Sequence, residues 1–456
     1  MYSENENMIH IHLIGIGGIG MSGLAEYYAR KGYTVTGSDL IKTKITERLE
    51  KFGVKIFYNH NENNITSGIA IVIHTSAVKD DNPEYRKAKN LNIKLIKRAQ
   101  ALADIVNEKI LIAIAGTHGK TSTTSMVAKV LIDAGFDPLV FAGGNIDFLD
   151  GGSSRFSESR IAVVEADEYD RSFLTLKPDF AVINNIEEDH LDIYKDINEI
   201  KDTFSEFLSN VKPQGKLIVN GDDENVKAVI KKFDKKNIIM YGQNVYNHYQ
   251  FRDYEVRKNT VHFYLSNAEI VLKIIGKHNA YNAAAAFTVS KLLNVNERQI
   301  LKSLFEYSGV DRRLELKYSN DFTVYDDYAH HPTEISASLD AVRSFTNNRL
   351  VTVFQPHLYS RTKDFYKEFA RSLDLTDVLV LADLYPAREK PIEGVSSELL
   401  FNEFKNISSK PVYNAENYEA LKNILKTIIM KNDVIVFQGA GNITDYCEKF
   451  IKEIKS

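Results

Sequence analysis

Short, continuous apolar runs alternate with amphipathic stretches along almost the whole chain. The first run, IHLIGIGG, predicts a strand entering a glycine turn, and MSGLAEYYARKG predicts a helix closed by Gly32, because glycine is the common residue just past a helix end. YTVTGSD and IAIVIHTSA read as further strands. This repeated strand–helix–strand order predicts a parallel sheet covered by helices on both faces. The strands are continuously apolar rather than alternating, as strands buried on both faces are. A second series starts at KILIAIAGTHGKTS, around Ile110, and runs through IAVVEADEYD, FAVINNIEEDH and KLIVNGDDE. After it, the polar stretch YGQNVYNHYQFRDYEVRKNTVHFYLSN predicts a small antiparallel patch, and the alanine-rich GKHNAYNAAAAFTVSKLL predicts a helix. A third series starts near Leu316, with strands in FTVYDDYAHHP, LVTVFQPH, DVLVLADLYP and DVIVFQGAGN. The reading is an α/β protein of three blocks: residues 1–108, 109–315 and 316–456.

Composition narrows the class. The 456 residues suit two to four domains at roughly 100–200 residues each. With 44% hydrophobic and 26% charged residues, each block has the makings of its own core. The net charge of −4 argues against a general electrostatic grip on nucleic acid or anionic lipid, though not against a local basic cleft. A single cysteine, Cys447, excludes an internal disulfide and a cysteine metal cluster. It also lacks the helix N-terminus or cationic neighbour that activates a thiol. The polar start MYSENENMIH is no secretory signal, and no apolar run approaches the roughly 20 residues that span a bilayer. A cytoplasmic, non-membrane protein is expected.

Chemistry concentrates at the strand ends. Gly15, Gly17, Gly18 and Gly20 follow the first strand with the spacing G-x-G-x-x-G, and Asp39 ends the second. Such glycines let the backbone approach a diphosphate at a helix N-terminus. The pattern identifies a diphosphate site or a packing turn, not the nucleoside. Next, Gly116-Thr117-His118-Gly119-Lys120-Thr121-Ser122 lies between a strand and a helix. It is a variant phosphate-binding loop, since the common form needs glycine at Ile114. Backbone N–H groups can cradle phosphates there, Lys120 can reach the terminal ones, and the Thr121 hydroxyl can hold Mg²⁺. Glu165 and Asp167 close one strand of this series, and Asp189 and His190 follow another. In a parallel sheet these ends share a rim, so Glu165 and His190 can face the same phosphates as Mg²⁺ ligands. The plainer reading is a helix cap and a loop histidine. Asn279 and Asn282 sit about one turn apart at the start of the alanine-rich helix, where asparagine also serves as an ordinary cap. The third block adds Asp326, Asp327, Tyr328, His330, His331, His357, Ser360, Arg361, Tyr385 and Arg388, all after predicted strands, with Arg312 and Arg313 at its boundary. No cysteine or helix pattern supports zinc at the paired histidines, and a polar pocket with cations for a carboxylate fits better.

In combination these motifs are specific. The chain resembles the Mur ligases, the ATP-dependent amide-forming enzymes of peptidoglycan synthesis. The resemblance runs through IHLIGIGGIGMSGLA, AGTHGKTST, VVEADEYDRSFL, NNIEEDHLDIY, GKHNAYNAAAA, GVDRRLE, DDYAHHPTEI, FQPHLYSRT, LYPARE and QGAGNI, in order. It implies an N-terminal Rossmann-like UDP-binding domain, a central P-loop-type ATPase domain with a mostly parallel sheet, and a C-terminal Rossmann-like domain. It also implies a reaction: ATP phosphorylates the carboxylate of UDP-N-acetylmuramate, and L-alanine attacks the acyl phosphate. The cofactors implied are ATP and Mg²⁺, the partners small molecules only.

Residue by residue, the resemblance implies that Gly116 to Ser122 hold the ATP phosphates, and that Thr121, Glu165 and His190 are metal ligands. Asn279 and Asn282 would lie on the adenine side, with Arg313 and Asp327 completing the nucleotide site. Gly15, Gly17, Gly18 and Gly20, with Ser22, Asp39, Ser76 and Arg98, would take the UDP sugar. Tyr328, His330, His331, His357 and Arg361 would lie at the amino-acid end, His331 and Arg361 acting in catalysis with Lys120, Glu165 and His190. Two departures stand out. Several relatives carry a carbamylated lysine where Ser205 and Glu206 stand here, and Leu314 replaces a usual phenylalanine. Closure of the third block over the second, through a hinge near 311–318, would exclude water, and Lys120→Ala is expected to lower the rate with little loss of stability. Three rival readings remain open: a recycling ligase that adds a whole tripeptide, a NAD-dependent oxidoreductase built on the N-terminal glycines, and a non-catalytic nucleotide-binding module.

Overall fold

The structure, a computed structural model, describes residues 9–149, 151–190, 193–257, 260–387 and 389–455. Arg388, Leu191 and Asp192, all within motifs named above, lie outside the described residues. Three sheets carry the fold. The first comprises β1 (His10–Ile14), β2 (Thr34–Ser38), β3 (Lys55–Phe57), β4 (Ile71–His74) and β5 (Lys94–Lys97), in the order β3-β2-β1-β4-β5. Every pairing in it is parallel. The order reverses direction at β1, so a crevice opens beyond the carboxyl ends of β1 and β4. Leu13 packs into one core cluster and Ile14 into another, as expected of a strand with helices on both faces. The helix Ile19–Arg30 ends as its sequence requires: Gly32 adopts φ +85°, a conformation that suits glycine.

The central sheet contains β6 (Ile110–Ala115), β7 (Leu139–Ile146), β8 (Gly152–Arg155), β9 (Ile161–Glu165), β10 (Phe180–Ile183), β11 (Lys216–Asn220) and β12 (Ile238–Gly242). Their order is β12-β11-β10-β6-β9-β7-β8. All pairings among them are parallel except β7 with β8. β13 (Tyr249–Arg257), β14 (Thr260–Leu265) and β15 (Ala268–Leu272) come next beyond β12. The stretch expected to form a small antiparallel patch supplies β13 and β14. The polar stretch extends the main sheet, and β12 pairs with β13 in parallel at Tyr241 and Tyr249. Alternating polarity marks a half-buried strand but does not say which edge it joins.

The third sheet holds β16 (Glu315–Ser319), β17 (Thr323–Asp327), β18 (Leu350–Phe354), β19 (Val378–Ala382), β20 (Val412–Ala415) and β21 (Val434–Gln438), in the order β16-β17-β21-β18-β19-β20. Only the β16–β17 pair is antiparallel. Val351 and Val353 face one core cluster, Leu350 and Phe354 the other. Cys447 is buried in the first of these, and burial pushes its thiol well above the usual range, which fits a packing role.

The chain divides into two compact units. One comprises residues 1–252, 264–270 and 281–307, the other residues 253–263, 271–280 and 308–456. In the first unit a single apolar cluster runs from Met21, Leu24 and Ala25 to Phe141 and Val164, so the first two sheets share a core. In β2, Gly37 lies against the turn that follows β1: a Cβ there would sit 2.7 Å from the Leu13 carbonyl oxygen and 2.8 Å from Ile16 Cβ. Gly37→Ala is expected to cost about 1–3 kcal/mol of stability, the usual range for overpacking. Chemical denaturation would show it as a lower midpoint, and an unchanged midpoint would contradict the packing described.

Candidate active site

The loop after β6 is shaped by glycines with positive φ and by two asparagines after β10. Gly116 (φ +134°) and Gly119 (φ +78°) leave no room for a Cβ: at Gly116 it would lie 3.1 Å from Asn184 and Asn185, and at Gly119 it would collide with Asn282. His118 N donates to Asn185 Oδ1 (2.7 Å), and Asn184 Nδ2 donates to Thr123 Oγ1 (3.0 Å). Thr123 in turn donates to Asn282 Oδ1 (3.1 Å). Glu187 N donates to Thr117 Oγ1 (2.9 Å), and His118 Nε2 stands 3.4 Å from the Glu187 carboxylate. Gly119 caps the helix Lys120–Asp133, whose first turn carries Lys120, Thr121 and the buried Ser122. A helix N-terminus offers free N–H groups and partial positive charge to an anion.

Lys120 is folded against its own loop. Its Nζ donates to the carbonyls of Gly116 (2.8 Å) and Thr117 (3.1 Å) and to Glu168 Oε1 (2.7 Å). Burial works against its charge, but Glu168, then Asp167, raise its pKa above the ordinary range. Burial also lifts the Glu168 carboxyl to about 7, against the pull of Lys120. Glu165 is raised by burial too, while Lys120 and a hydrogen bond from Thr121 oppose the rise. Gly143 N donates to Glu165 Oε2 at 2.7 Å, and that carboxylate occupies the space a Cβ at Gly143 would need. His190, in a left-handed conformation (φ +55°), places Nε2 3.7 Å from Glu168 Oε1.

Thr121 and Glu165 thus meet as expected, and His190 reaches the same carboxylate cluster. Glu168, which the sequence reading passed over, is the carboxylate nearest Lys120. Its Oε2 is buried with no hydrogen-bond partner among the described residues. Oxygen donors of this kind, a hydroxyl and carboxylates, are the set Mg²⁺ takes, so the residues fit the ion.

The glycine loop after β1 turns inward. Gly15 N and Ile16 N donate to the Ser38 carbonyl (2.8 and 2.9 Å), and Gly18 N to the Gly15 carbonyl (3.2 Å). Gly17 N donates to Asp39 Oδ2 (2.8 Å). Asp39 therefore braces the loop, and what remains for an anion is the first turn of the helix Ile19–Arg30. Ser22 lies within that helix, its hydroxyl donating to the Ile19 carbonyl (2.8 Å). Arg98 packs over Gly20, where a Cβ would lie 3.1 Å from Nη1. Its Nη2 stands 3.8 Å from Asp167 Oδ2, and a small cavity is lined by Arg98, Glu165 and Asp167. Arg98 therefore links the two loops. Ser76 is exposed, beyond the end of β4.

In the other unit the strand ends gather as one rim. Asp327, at the end of β17, accepts from Ser338 Oγ (2.5 Å) and Gln438 Nε2 (3.2 Å). Burial raises its pKa, with Ser338 and Arg313 opposing. Arg312 and Arg313 lie 4.9 and 5.3 Å from the Tyr328 ring, and Arg313 is 3.7 Å from Glu334. His330 Nδ1 is 3.2 Å from Glu334 Oε2, and His331 caps the helix Pro332–Phe345. His357 stacks on Tyr385 with ring centroids 5.8 Å apart. Burial, then the charges of His330 and Arg361, push its pKa down to about 3. Arg361 is buried in the helix Tyr359–Leu373. Asn279 donates to the Ile275 carbonyl (2.8 Å) in this unit, whereas Asn282 belongs to the loop network of the first.

Residues 10–110 match the Mur ligase family catalytic domain, 114–290 the Mur ligase middle domain, and 312–441 the Mur ligase glutamate ligase domain. The chain belongs to the Mur ligase family. Among its relatives, the UDP-N-acetylmuramate–L-alanine ligase of Sulfurihydrogenibium sp. is 44% identical over 446 residues, 97% of each chain. That of Persephonella marina is 42% identical over 448 residues, again 97% of each. The structure of the UDP-N-acetylmuramate–alanine ligase from Thermotoga maritima superposes with a TM-score of 0.85 at 28% identity, covering 98% of this chain and 99% of that one. A murein peptide ligase from Psychrobacter arcticus shares the fold, with a TM-score of 0.72 at 24% identity over 97% and 98% of the two chains. The three-domain α/β architecture is that of the Mur ligases.

Two tests follow from this Mur ligase site. Lys120 is paired with the buried Glu168, so its replacement is expected to cost stability, more than the small loss expected from sequence. Lys120→Met is expected to cost about 3 kcal/mol of stability and about a hundredfold or more in turnover. Adding Glu168→Gln should restore most of the stability and none of the turnover. A single variant as stable as the wild type would contradict the buried pair. In the other unit, burial holds the pKa of His278 down at about 4, with Arg313 assisting. The unfolded chain binds that proton from about pH 6.5, so stability drains away as pH falls from 6.5 through 4. His278→Gln should flatten that acid limb in denaturation midpoints measured against pH; an unchanged slope would show that His278 contributes nothing.

Proposed function

We propose that the chain is an ATP-dependent ligase that joins L-alanine to the carboxylate of UDP-N-acetylmuramate, releasing ADP and phosphate. The observation that carries the reading is the joint arrangement of Lys120, Thr121, Glu165, Glu168 and His190 around a phosphate-binding loop. The acceptor follows from relatives at 42–44% identity over nearly the full chain. The working division is 1–108 for the UDP sugar, 109–315 for ATP and 316–456 for the amino-acid side, in step with the three sheets. No described helix is long and apolar enough to cross a membrane, and we place the reaction in the cytoplasm, where its soluble substrates are made.

A carboxylate is a poor electrophile, and its conversion to an acyl phosphate supplies a leaving group. The carboxylate oxygen attacks the terminal phosphorus of ATP and ADP departs. The alanine amine then attacks the acyl carbon, loses a proton, and phosphate leaves. Mg²⁺, when bound by Thr121, Glu165 and His190, supplies positive charge between reactants that are both anionic. Lys120 uses all three of its N–H donors on Glu168 and two loop carbonyls. To reach a phosphate it gives up at least one of them, and the raised pKa of Glu168 lets that carboxyl hold a proton when the ammonium turns away. Arg98, at the wall of the cavity shared with Glu165 and Asp167, is placed to hold the carboxylate that reacts. Gly116 to Ser122 bind the nucleotide phosphates, Asn279 and Asn282 are assigned to its adenine side, and Arg313 and Asp327 are assigned to the nucleotide from the third block. Gly15 to Gly20 take the UDP diphosphate, with Ser22, Asp39 and Ser76 alongside. His330, His331, His357, Tyr328 and Arg361 serve the amino acid. His357, neutral at pH 7, offers the amine an uncharged partner.

Phosphate release from ATP and Mg²⁺ tests this. It is expected only when UDP-N-acetylmuramate and L-alanine are both present. Release that requires a tripeptide in place of L-alanine would move the chain to the recycling reaction, and release independent of the UDP sugar would overturn the ligase.

A further inference from the structure

Beneath the N-terminal glycine loop lies a polar cluster that the reaction does not use. Glu84, wholly buried, sits in the first turn of the helix Pro83–Asn90, whose cap Asn82 accepts from the N–H groups of Glu84 and Tyr85. A carboxylate is favoured at that end of a helix. Ser38 Oγ donates to Glu84 Oε2 at 2.6 Å, and Asn64 Nδ2 to Glu84 Oε1 at 2.6 Å. His60 Nδ1 lies 3.1 Å from both Ser38 Oγ and Glu84 Oε2. His12 Nε2 is 3.7 Å from Glu84 Oε1, and its Nδ1 is 2.8 Å from Thr36 Oγ1. Burial alone would raise the Glu84 pKa, but the neighbouring His12 ring and the hydrogen bonds from Ser38 and Asn64 outweigh it and hold the pKa below the usual carboxylate value.

The residue this carboxylate grips is the one that shapes the loop. The Ser38 carbonyl receives Gly15 N and Ile16 N, and the next side chain, Asp39, receives Gly17 N. Three successive loop N–H groups therefore hang on a dipeptide that is tethered into the domain interior by Ser38 Oγ, to Glu84 and His60. We infer that Glu84 is a positioning residue for the UDP-sugar site: through Ser38 it fixes the glycine loop in the form that presents the helix Ile19–Arg30 to the diphosphate. This rests on the proposed reaction, and it adds a residue about 65 positions along the chain from a loop it never touches.

Steady-state kinetics of the full chain, varying UDP-N-acetylmuramate at saturating ATP and L-alanine, tests it. Ser38→Ala and Glu84→Gln are each expected to raise KM for the UDP sugar by about tenfold, with KM for ATP and L-alanine within about twofold of the wild type. Thr36→Val is the control: it removes hydrogen bonds at the far side of the same cluster, to His10 and His12, without touching Ser38. It should leave KM for the UDP sugar unchanged. An equal rise in the Thr36 variant would mean general softening of the domain and would overturn the inference, as would unmoved KM in a folded Ser38→Ala protein. If Glu84→Gln does not fold, Ser38→Ala decides alone. Wild-type turnover that ignores the UDP sugar would instead bring down the ligase reading, and the inference with it; turnover that needs the sugar but keeps its KM in the variants brings down the inference only.

Discussion

The active site is organised around one buried cation. Lys120 is held by a carboxylate and two carbonyls of its own loop, with Asp167 and Glu165 adding to the negative field. A lysine in such a place is stable only if its charge is matched and its donors are filled. That requirement explains much of the surrounding sequence. Gly116 and Gly119 give the loop its curvature, Asn184 and Asn185 fill its remaining polar groups, and Gly143 leaves space for Glu165. In the proposed reading, an incoming phosphate takes the place of the Glu168 carboxylate at Lys120.

The same logic recurs at the N-terminal loop, with hydrogen bonds in place of an ion pair. Its N–H groups are consumed by Ser38 and Asp39, so the loop is rigid before any ligand arrives. In the proposed reading the loop presents the helix Ile19–Arg30 to a diphosphate, and a loop already set loses less entropy on binding. Arg98 then spans from Gly20 to Asp167, which couples the geometry of one loop to the electrostatics of the other.

Much of this was legible in the sequence because glycine, lysine and strand-end acids leave a local signature. The parallel order of the first sheet follows from its βαβ repeats, and the variant loop at Gly116 to Ser122 is visible from GKTS after an apolar run. What was not legible depends on tertiary direction. Glu168 is one of three acids in EADE, and which of them turns toward Lys120 is decided by an irregular turn where Asp170 and Arg171 take positive φ. Asn184 and Asn185 looked like the tail of a strand. Glu84 belongs to none of the motifs, and only the hydrogen bond it accepts from Ser38 Oγ shows what it meets. That Asp39 holds Gly17 N could not be read from its spacing. The joining of β13 to β12 was hidden for a related reason, since edge choice is a property of the assembled sheet.

The central claim is that a phosphoryl group passes to the substrate carboxylate at Lys120 before the amide forms. Labelling both carboxylate oxygens of UDP-N-acetylmuramate with ¹⁸O and analysing the phosphate released during turnover with L-alanine tests it directly. If the acyl phosphate forms, the oxygen that attacks phosphorus leaves with it, and each phosphate carries one labelled oxygen. Unlabelled phosphate, released in step with amide formation, would contradict the account.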